Sequence, residues 1–403
     1  MNFKKTKINF TLTKICLSGI VLFLILGIIY VYDNGDNGNN SYLSLSNSYS
    51  KYSLEQMRNF AFKNKIGIEY RPHLYTRWNM SFNKILNNRN AKFSLDNDDV
   101  IVFLHIQKTA GTSFEKFLVK NMNIEYKCDC NLGKKRCNCN KNNSTKQTWL
   151  FSRYSTGWMC GLHADYTELF VSDCVENVLD RKEGIHRKRR YFYTTFLREP
   201  ISRFISEYRH VDRGATWLSA KHMCNGKPPT PEELPLCFDP DVGWEGVTLD
   251  EFLDCPYNLA FNRQSRMLAD LTLVNCYDTK TMSPEKRDQI ILRSAKNNLK
   301  NFAFFGIKEN MNASQIIFEK SFNLKFSKSL GVWNKSKSKD TKITRAQLEK
   351  IKFRNKLDIE LYDYALKLFA KRMKKLNISK FEIPPSPYNL TYEEYLKENN
   401  NWV

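Results

Sequence analysis

Residues 100–106 read Val-Ile-Val-Phe-Leu-His-Ile. A run this apolar, without the alternation of a half-exposed strand, belongs to a strand covered on both faces, the setting of a parallel sheet. The polar loop Gln107-Lys-Thr-Ala-Gly-Thr112 follows at once, and Phe114, Phe117, Leu118 and Met122 then recur at helical spacing. Strand, short loop and helix make the first half of a β-α-β unit. The pattern returns at Tyr191-Phe-Tyr-Thr-Thr-Phe-Leu197, which runs through Arg198-Glu-Pro200 into a helix marked by Ile201, Phe204, Ile205 and Tyr208. Phe302-Ala-Phe-Phe-Gly-Ile307 is a third candidate strand, and one long helix is expected from about Ala346 to Leu376. The expected fold is therefore α/β, with a mostly parallel central sheet flanked by helices.

The two turns are where such a sheet binds ligands, between the carboxyl end of a strand and the N-terminus of a helix. The free N–H groups and positive dipole there favour a phosphate. In His105-Ile-Gln-Lys-Thr-Ala-Gly-Thr-Ser113, Lys108 adds a full charge. Thr109, Thr112 and Ser113 offer hydroxyls, and Gly111 lets the backbone approach a ligand oxygen closely. The nucleotide-kinase pattern G-x-x-x-x-G-K-[ST] is absent from the sequence, so the plain alternative is an ordinary capped turn. The second turn supplies Arg198, whose planar fork suits bidentate contact, and Ser206 two helical turns on. Its plain alternative is a surface arginine and a helix-facing serine. Together the two turns point to a nucleotide phosphorylated at two separate positions.

Composition narrows the setting. Hydrophobic residues make up 42% and aromatic residues 13%, which excludes a disordered chain. Lys and Arg number 63 against 42 Asp and Glu, and the formal net charge of +21 selects for a polyanionic partner. The uncharged stretch Ile15 to Tyr32, at about 1.5 Å per residue, is long enough to span a bilayer core. Lys4, Lys5, Lys7 and Lys14 precede it, so the positive-inside rule keeps residues 1–14 in the cytosol and sends the remainder to the lumen. A cleaved signal peptide is the alternative. With Cys16 inside the span, ten of the 11 cysteines are left for the oxidising side, enough for up to five disulfides. Asn-x-Ser/Thr tripeptides beginning at Asn39, Asn79, Asn142, Asn143, Asn312, Asn334, Asn377 and Asn389 agree with this, and binding of nuclear nucleic acid is set aside. Residues 33–95, rich at first in Asn, Ser, Gly and Tyr, read as a stem.

Beyond these patterns the chain resembles a known family, the heparan sulfate 6-O-sulfotransferases, Golgi type II enzymes that use 3′-phosphoadenylyl sulfate (PAPS). The likeness rests on His105-Ile-Gln-Lys-Thr109, Trp149-Leu-Phe-Ser-Arg-Tyr-Ser-Thr-Gly-Trp158, Cys160-Gly-Leu-His-Ala-Asp165, Tyr208-Arg-His-Val-Asp-Arg-Gly-Ala-Thr-Trp217, Thr230-Pro-Glu-Glu-Leu234 and Asp254-Cys-Pro-Tyr-Asn-Leu-Ala260. It runs from about Val100 to Leu376. It implies a P-loop-like PAPS-dependent sulfotransferase fold over residues 96–380, behind a type II anchor at 15–32 and before a C-terminal tail at 381–403. By the same resemblance, His105, Ile106, Gln107, Lys108, Thr109, Ala110, Gly111, Thr112 and Ser113 surround the 5′ phosphosulfate, and Arg198 with Ser206 grips the 3′ phosphate. Gly331, Val332, Trp333, Lys337 and Ser338 close over the donor. Lys108 offsets charge on the leaving oxygen, and His163 accepts the proton of the sugar 6-hydroxyl; the plain alternative is a structural histidine bonded to Asp165. His105 is the rival base. Lys135, Arg136, Arg153, Trp158, His210 and Trp217 correspond to acceptor-contacting positions, the cations matching sulfates and carboxylates and the rings packing on sugars. Their plain alternatives are a solvated charge run and core tryptophans.

The expected partners are heparan sulfate and the Golgi membrane, with no metal required. Other readings stay open. Cys128-Asp-Cys130 and Cys137-Asn-Cys139 have zinc-like spacing, although disulfides are favoured in a lumen. Asp239-Pro-Asp241 and Asp96-Asn-Asp98 would suit a glycosyltransferase holding a metal-bound sugar nucleotide. A non-catalytic glycosaminoglycan-binding membrane protein would need only the positive charge. The clusters Arg187-Lys-Arg-Arg190 and Lys335 to Lys339 either extend an acidic-polymer track or are simply solvated. Ala110 stands where the family has the first of two glycines, and it is expected to be tolerated with a negative φ.

Overall fold

Strand β1 (Asp99–Phe103) is buried at every position, as its unbroken apolar run requires. It is flanked by β2 (Leu150–Phe151) and β3 (Arg190–Leu197), and β4 (Phe304–Ile307) joins the far edge of β3. All pairings are parallel in the order β2-β1-β3-β4, with Val102 opposite Phe151 and Tyr193, and Leu197 opposite Ile307. This register brings the carboxyl ends of β1, β3 and β4 to one edge, where the site is built. The computed structural model describes residues 80–142, 144–215, 217–331, 343–378 and 391–394, all within the unit His73–Val403. The expected tail, anchor and most of the stem lie outside them, as do Val332, Trp333, Lys337 and Ser338 and the cluster Lys335 to Lys339. Among the described residues, no helix is long and apolar enough to cross a membrane.

Helices cover the sheet. Helix α1 (Phe82–Asn87) buries Phe82 and Ile85, and Phe93 packs edge-on against Phe192, so packed structure begins well before the stem boundary expected at residue 95. Helix α2 (Gly111–Asn121) follows β1, and α3 (Pro200–Val211) follows β3. Pro200 opens α3 at a position where its missing N–H costs nothing, and the Glu199 carboxylate caps it by accepting from the N–H groups of Ile201 (2.9 Å) and Ser202 (2.7 Å). Later α-helices of six or more residues are α4 (Leu249–Asp254), α5 (Arg263–Leu268), α6 (Pro284–Asn301), α7 (Met311–Phe322), α8 (Arg345–Arg354) and α9 (Lys356–Lys375).

The single C-terminal helix expected from Ala346 to Leu376 is in fact α8 and α9, broken at buried Asn355. The break has a distant cause. The Asn262 side chain accepts from the N–H groups of Leu357 (3.0 Å) and Asp358 (3.3 Å), and Asp358 in turn accepts from those of Gln264 (3.0 Å) and Ser265 (2.7 Å). Helices α5 and α9 thus cap each other's N-termini across the fold, satisfying orphan donors that a continuous helix would not have.

Five disulfides account for the ten cysteines: Cys128–Cys139, Cys130–Cys137, Cys160–Cys174, Cys224–Cys276 and Cys237–Cys255. The zinc-like spacing therefore serves a doubly stapled hairpin. The cluster Arg187–Arg190 is mostly structural rather than a polymer track. Arg187 binds Asp98, Arg189 is buried against Asp180 (3.0 Å) and Glu183 (2.7 Å), and Arg190 holds Asp99 at 2.6 Å.

Inside the helical layer, Glu207 of α3 receives Arg203 from its own helix and Arg263 from α5, whose Nε lies 2.8 Å away. Burial alone would raise the Glu207 carboxyl, but Arg263 and Arg203 outweigh it and hold it below its ordinary range. Replacing one partner leaves buried charge uncompensated, so Glu207→Gln should lower stability by about 3–5 kcal/mol in urea unfolding. A loss below about 1 kcal/mol would show that the network does not tie α3 to α5.

Candidate active site

The β1–α2 turn departs from ordinary loop geometry at two non-glycine residues, Lys108 (φ 65) and Ala110 (φ 72). The expectation of a negative φ at Ala110 is thus overturned. Its carbonyl accepts from the N–H groups of Ser113 (3.0 Å) and Phe114 (3.1 Å), so the left-handed residue serves as the N-cap of α2. Among the described residues no side chain caps α2, so the amides of Gly111 and Thr112, ahead of the bonded Ser113 and Phe114, remain available to an anion. Thr109 is buried and donates to the Ile106 carbonyl (3.1 Å). Gly111 leaves room for His105, since a Cβ there would stand 3.2 Å from the imidazole. Ile106 and Gln107 are buried, whereas Thr112 and Ser113 are half-exposed.

Arg198 ends β3 beside this turn and donates from Nη1 to the Lys108 carbonyl (3.2 Å). Its backbone is clamped on both sides by Gln264 of α5, which accepts from the Arg198 N–H and donates to its carbonyl, each at 2.9 Å. Ser206 is half-buried in α3. Burial, reinforced by Arg198, pushes the Lys108 ammonium down to about 8, so it is still a cation at neutral pH. Lys308, in the strand-end position next to Arg198, is pushed to about 8 by the same two causes. Among the described residues, buried Arg198 Nε and Gln107 Oε1 have no hydrogen-bond partner. Crowded cations, an uncapped helix and orphaned polar atoms fit a multiply charged anionic donor.

His163 lies over the loop. Its ring is 5.0 Å from that of His105, 4.6 Å from Trp158 and 5.6 Å from Trp217, and its Nδ1 is 3.3 Å from the His105 carbonyl. It is not bonded to Asp165, which instead receives the Glu168 N–H (3.0 Å). A carbonyl only accepts, so Nδ1 carries the proton and Nε2 keeps its lone pair. Burial holds the imidazole well below its ordinary value, and it is neutral at physiological pH. His163 also has φ 54, strain of the kind retained at functional sites.

Of the predicted acceptor residues, Trp158 and Trp217 flank the His163 ring. Arg153 donates to Thr112 Oγ1 (3.3 Å) and lies over Trp158, and Arg136 reaches the Thr156 carbonyl (3.4 Å) from the stapled hairpin, whose exposed tip carries Lys135. His210 stacks on Trp217 at 5.4 Å. Burial and nearby Lys108 push His210 down to about 4, so it is a neutral ring. Gly331 is exposed.

Sequence reasoning missed Glu115, Arg263, Gln264 and Lys308. Glu115 is fully buried, bonded to the His105 ring and to the Arg153 N–H (3.0 Å), and Arg263 lies over Trp217. Only the place of Lys308 at a strand end was a signal in the chain.

A model of the sulfotransferase family matches residues 91–365. Heparan-sulfate 6-O-sulfotransferase 1 of Cricetulus griseus is 51% identical over 286 residues, 70% of this chain and 70% of that protein. The Homo sapiens protein of that name is also 51% identical over 286 residues, 70% of this chain and 69% of its own length. This chain belongs to the heparan-sulfate 6-O-sulfotransferase family. Another relative is Homo sapiens heparan-sulfate 6-O-sulfotransferase 3, 48% identical over 304 residues, 75% of this chain and 63% of the relative.

Left-handed Ala110 generates a test, since a glycine takes that conformation without the penalty of about 1–2 kcal/mol on an L-residue. Offset by the greater freedom of glycine in the unfolded chain, Ala110→Gly should raise stability by about 0.5–1 kcal/mol in denaturant unfolding. A destabilised variant would contradict the strain.

Proposed function

We propose that this chain transfers a sulfuryl group from PAPS to the 6-hydroxyl of glucosamine residues in heparan sulfate, with His163 as general base. The observation that carries the reading is the fixed tautomer of His163, whose unprotonated Nε2 belongs to a buried ring between the anion-binding turn and two tryptophans. PAPS, when bound, supplies the sulfuryl group and the bisphosphate leaving group.

The chain's own residues do the rest. The amides opening α2, with Lys108, bind one charged end of the donor, and Arg198 with Ser206 binds the other. Lys108 remains a cation where negative charge builds up on the leaving oxygen. Trp158 and Trp217 pack on the sugar rings, Arg153, Arg136 and Lys135 meet sulfates and carboxylates, and His163 Nε2 takes the hydroxyl proton. The segment Gly331, Val332, Trp333, Lys337 and Ser338 closes the donor site in this reading. A single-pass type II Golgi setting, with the catalytic part in the lumen, is supported by the apolar stretch at 15–32 and by the disulfides.

A sugar-nucleotide transferase is less well supported. Asp96 and Asp98 lie before β1, at the opposite end of that strand from the turn, where Asp96 accepts from Asn142 (2.8 Å) and Asp98 binds Arg187 and Lys141. A purely polysaccharide-binding protein has no use for a strained, tautomer-fixed imidazole beside an anion site.

Incubation with labelled PAPS and desulfated heparin should place label on the 6-position, and an unlabelled 6-position would reject the proposal. His163→Ala should cut kcat by roughly a hundredfold or more while PAP and heparin still bind. Loss of binding along with turnover would instead assign His163 to architecture.

The pH dependence follows from the neutral imidazole. Protonation abolishes the base, so activity falls as pH drops through its pKa, which lies well below the ordinary value in the free protein. An anionic donor favours the charged ring and raises that pKa. The acid limb of kcat should therefore lie at higher pH than that of kcat/KM for PAPS, and coincident limbs would show that the donor does not act on the base.

A further inference from the structure

Glu115 is a fully buried carboxylate in the first turns of α2, and the mechanism above does not use it. Both its oxygens are committed: Oε2 to Nδ1 of His105, Oε1 to the backbone N–H of Arg153 at 3.0 Å. It thereby joins the donor turn to the segment that carries Arg153 and Trp158. Resting on the sulfotransferase reading, we propose that Glu115 is a positioning residue which fixes the tautomer of His105, so that both imidazoles of the site keep an unprotonated Nε2.

A carboxylate is an acceptor only, so Nδ1 of His105 must donate to it, and in the neutral ring Nε2 is then left bare. His163 has the same tautomer, imposed by the His105 carbonyl. Two imidazoles with centroids 5.0 Å apart then offer a sugar hydroxyl acceptors alone, and no ring N–H competes for the lone pair of His163. His105 thus acts on His163 twice, through its carbonyl and through its ring, and Glu115 governs the second.

The isosteric variant Glu115→Gln separates this role from packing. Its amide oxygen still serves the Arg153 N–H, but its NH2 faces His105 Nδ1 and drives the imidazole proton to Nε2. Transfer to desulfated heparin should show kcat reduced roughly tenfold to a hundredfold with KM for PAPS changed less than about twofold. In a His105→Ala background the same substitution should cost no further activity, because the group it acts through is gone. Wild-type kcat in Glu115→Gln, or an equal loss in both backgrounds, overturns the inference while wild-type transfer leaves the sulfotransferase reading intact. A wild-type protein that transfers nothing overturns both. Should Glu115→Gln fail to fold, imidazole nitrogen shifts of the wild-type protein, assigned with His105→Gln, decide the matter. Protonation of His105 on Nδ1 supports the assignment, and protonation on Nε2 overturns it.

Discussion

The turn after β1 and the turn after β3 meet at one bond, from the Arg198 guanidinium to the Lys108 carbonyl at 3.2 Å. That bond is possible only because β1 and β3 pair directly, in parallel, with Phe103 opposite Thr194. An antiparallel neighbour would send its following loop to the opposite end of the sheet. Parallel pairing instead stacks the strand ends, and with them Lys108, Arg198 and Lys308, into a patch of like charge that repels itself. Such a patch endures because the fold is held elsewhere, and it relaxes when an anion arrives.

The holding is done by buried polar groups that each use two contacts. Gln264 grips Arg198 at N–H and carbonyl, Asp358 caps the helix from which Gln264 projects, and Glu207 binds Arg263 on that same helix. Removing charge from this scaffold would spare the contacts with a ligand and still let α5 drift from the sheet edge. Three of the non-glycine residues with positive φ lie at the cleft. Lys108, Ala110 and His163 all depart from right-handed backbone at the cleft, and each is anchored through its own or an adjoining backbone or ring group.

The sheet was readable because a strand covered on both faces has no choice but to be apolar, as Val100 to Ile106 and Tyr191 to Leu197 are. The two anion turns were readable for the related reason that their place in a β-α unit is set by local sequence. What local sequence does not contain is a partner remote in the chain. The break at Asn355 depends on Asn262, and the periodicity of residues 346–376 holds no trace of it. Glu115 looks like any helical glutamate until His105 and Arg153 fold onto it.

Net charge misleads for the same reason. A formal +21 invites the view that any basic cluster tracks a polyanion, yet Arg187, Arg189 and Arg190 are engaged by Asp98, Asp180, Glu183 and Asp99 at the end of the sheet away from the cleft. Charge that is paired internally contributes little field outside. By contrast, Lys134, Lys135 and Arg136 stand exposed at the tip of the doubly stapled hairpin. Its two staples keep that tip rigid. The Arg136 contact to the Thr156 carbonyl ties it to the segment that carries Trp158, whose ring packs against His163.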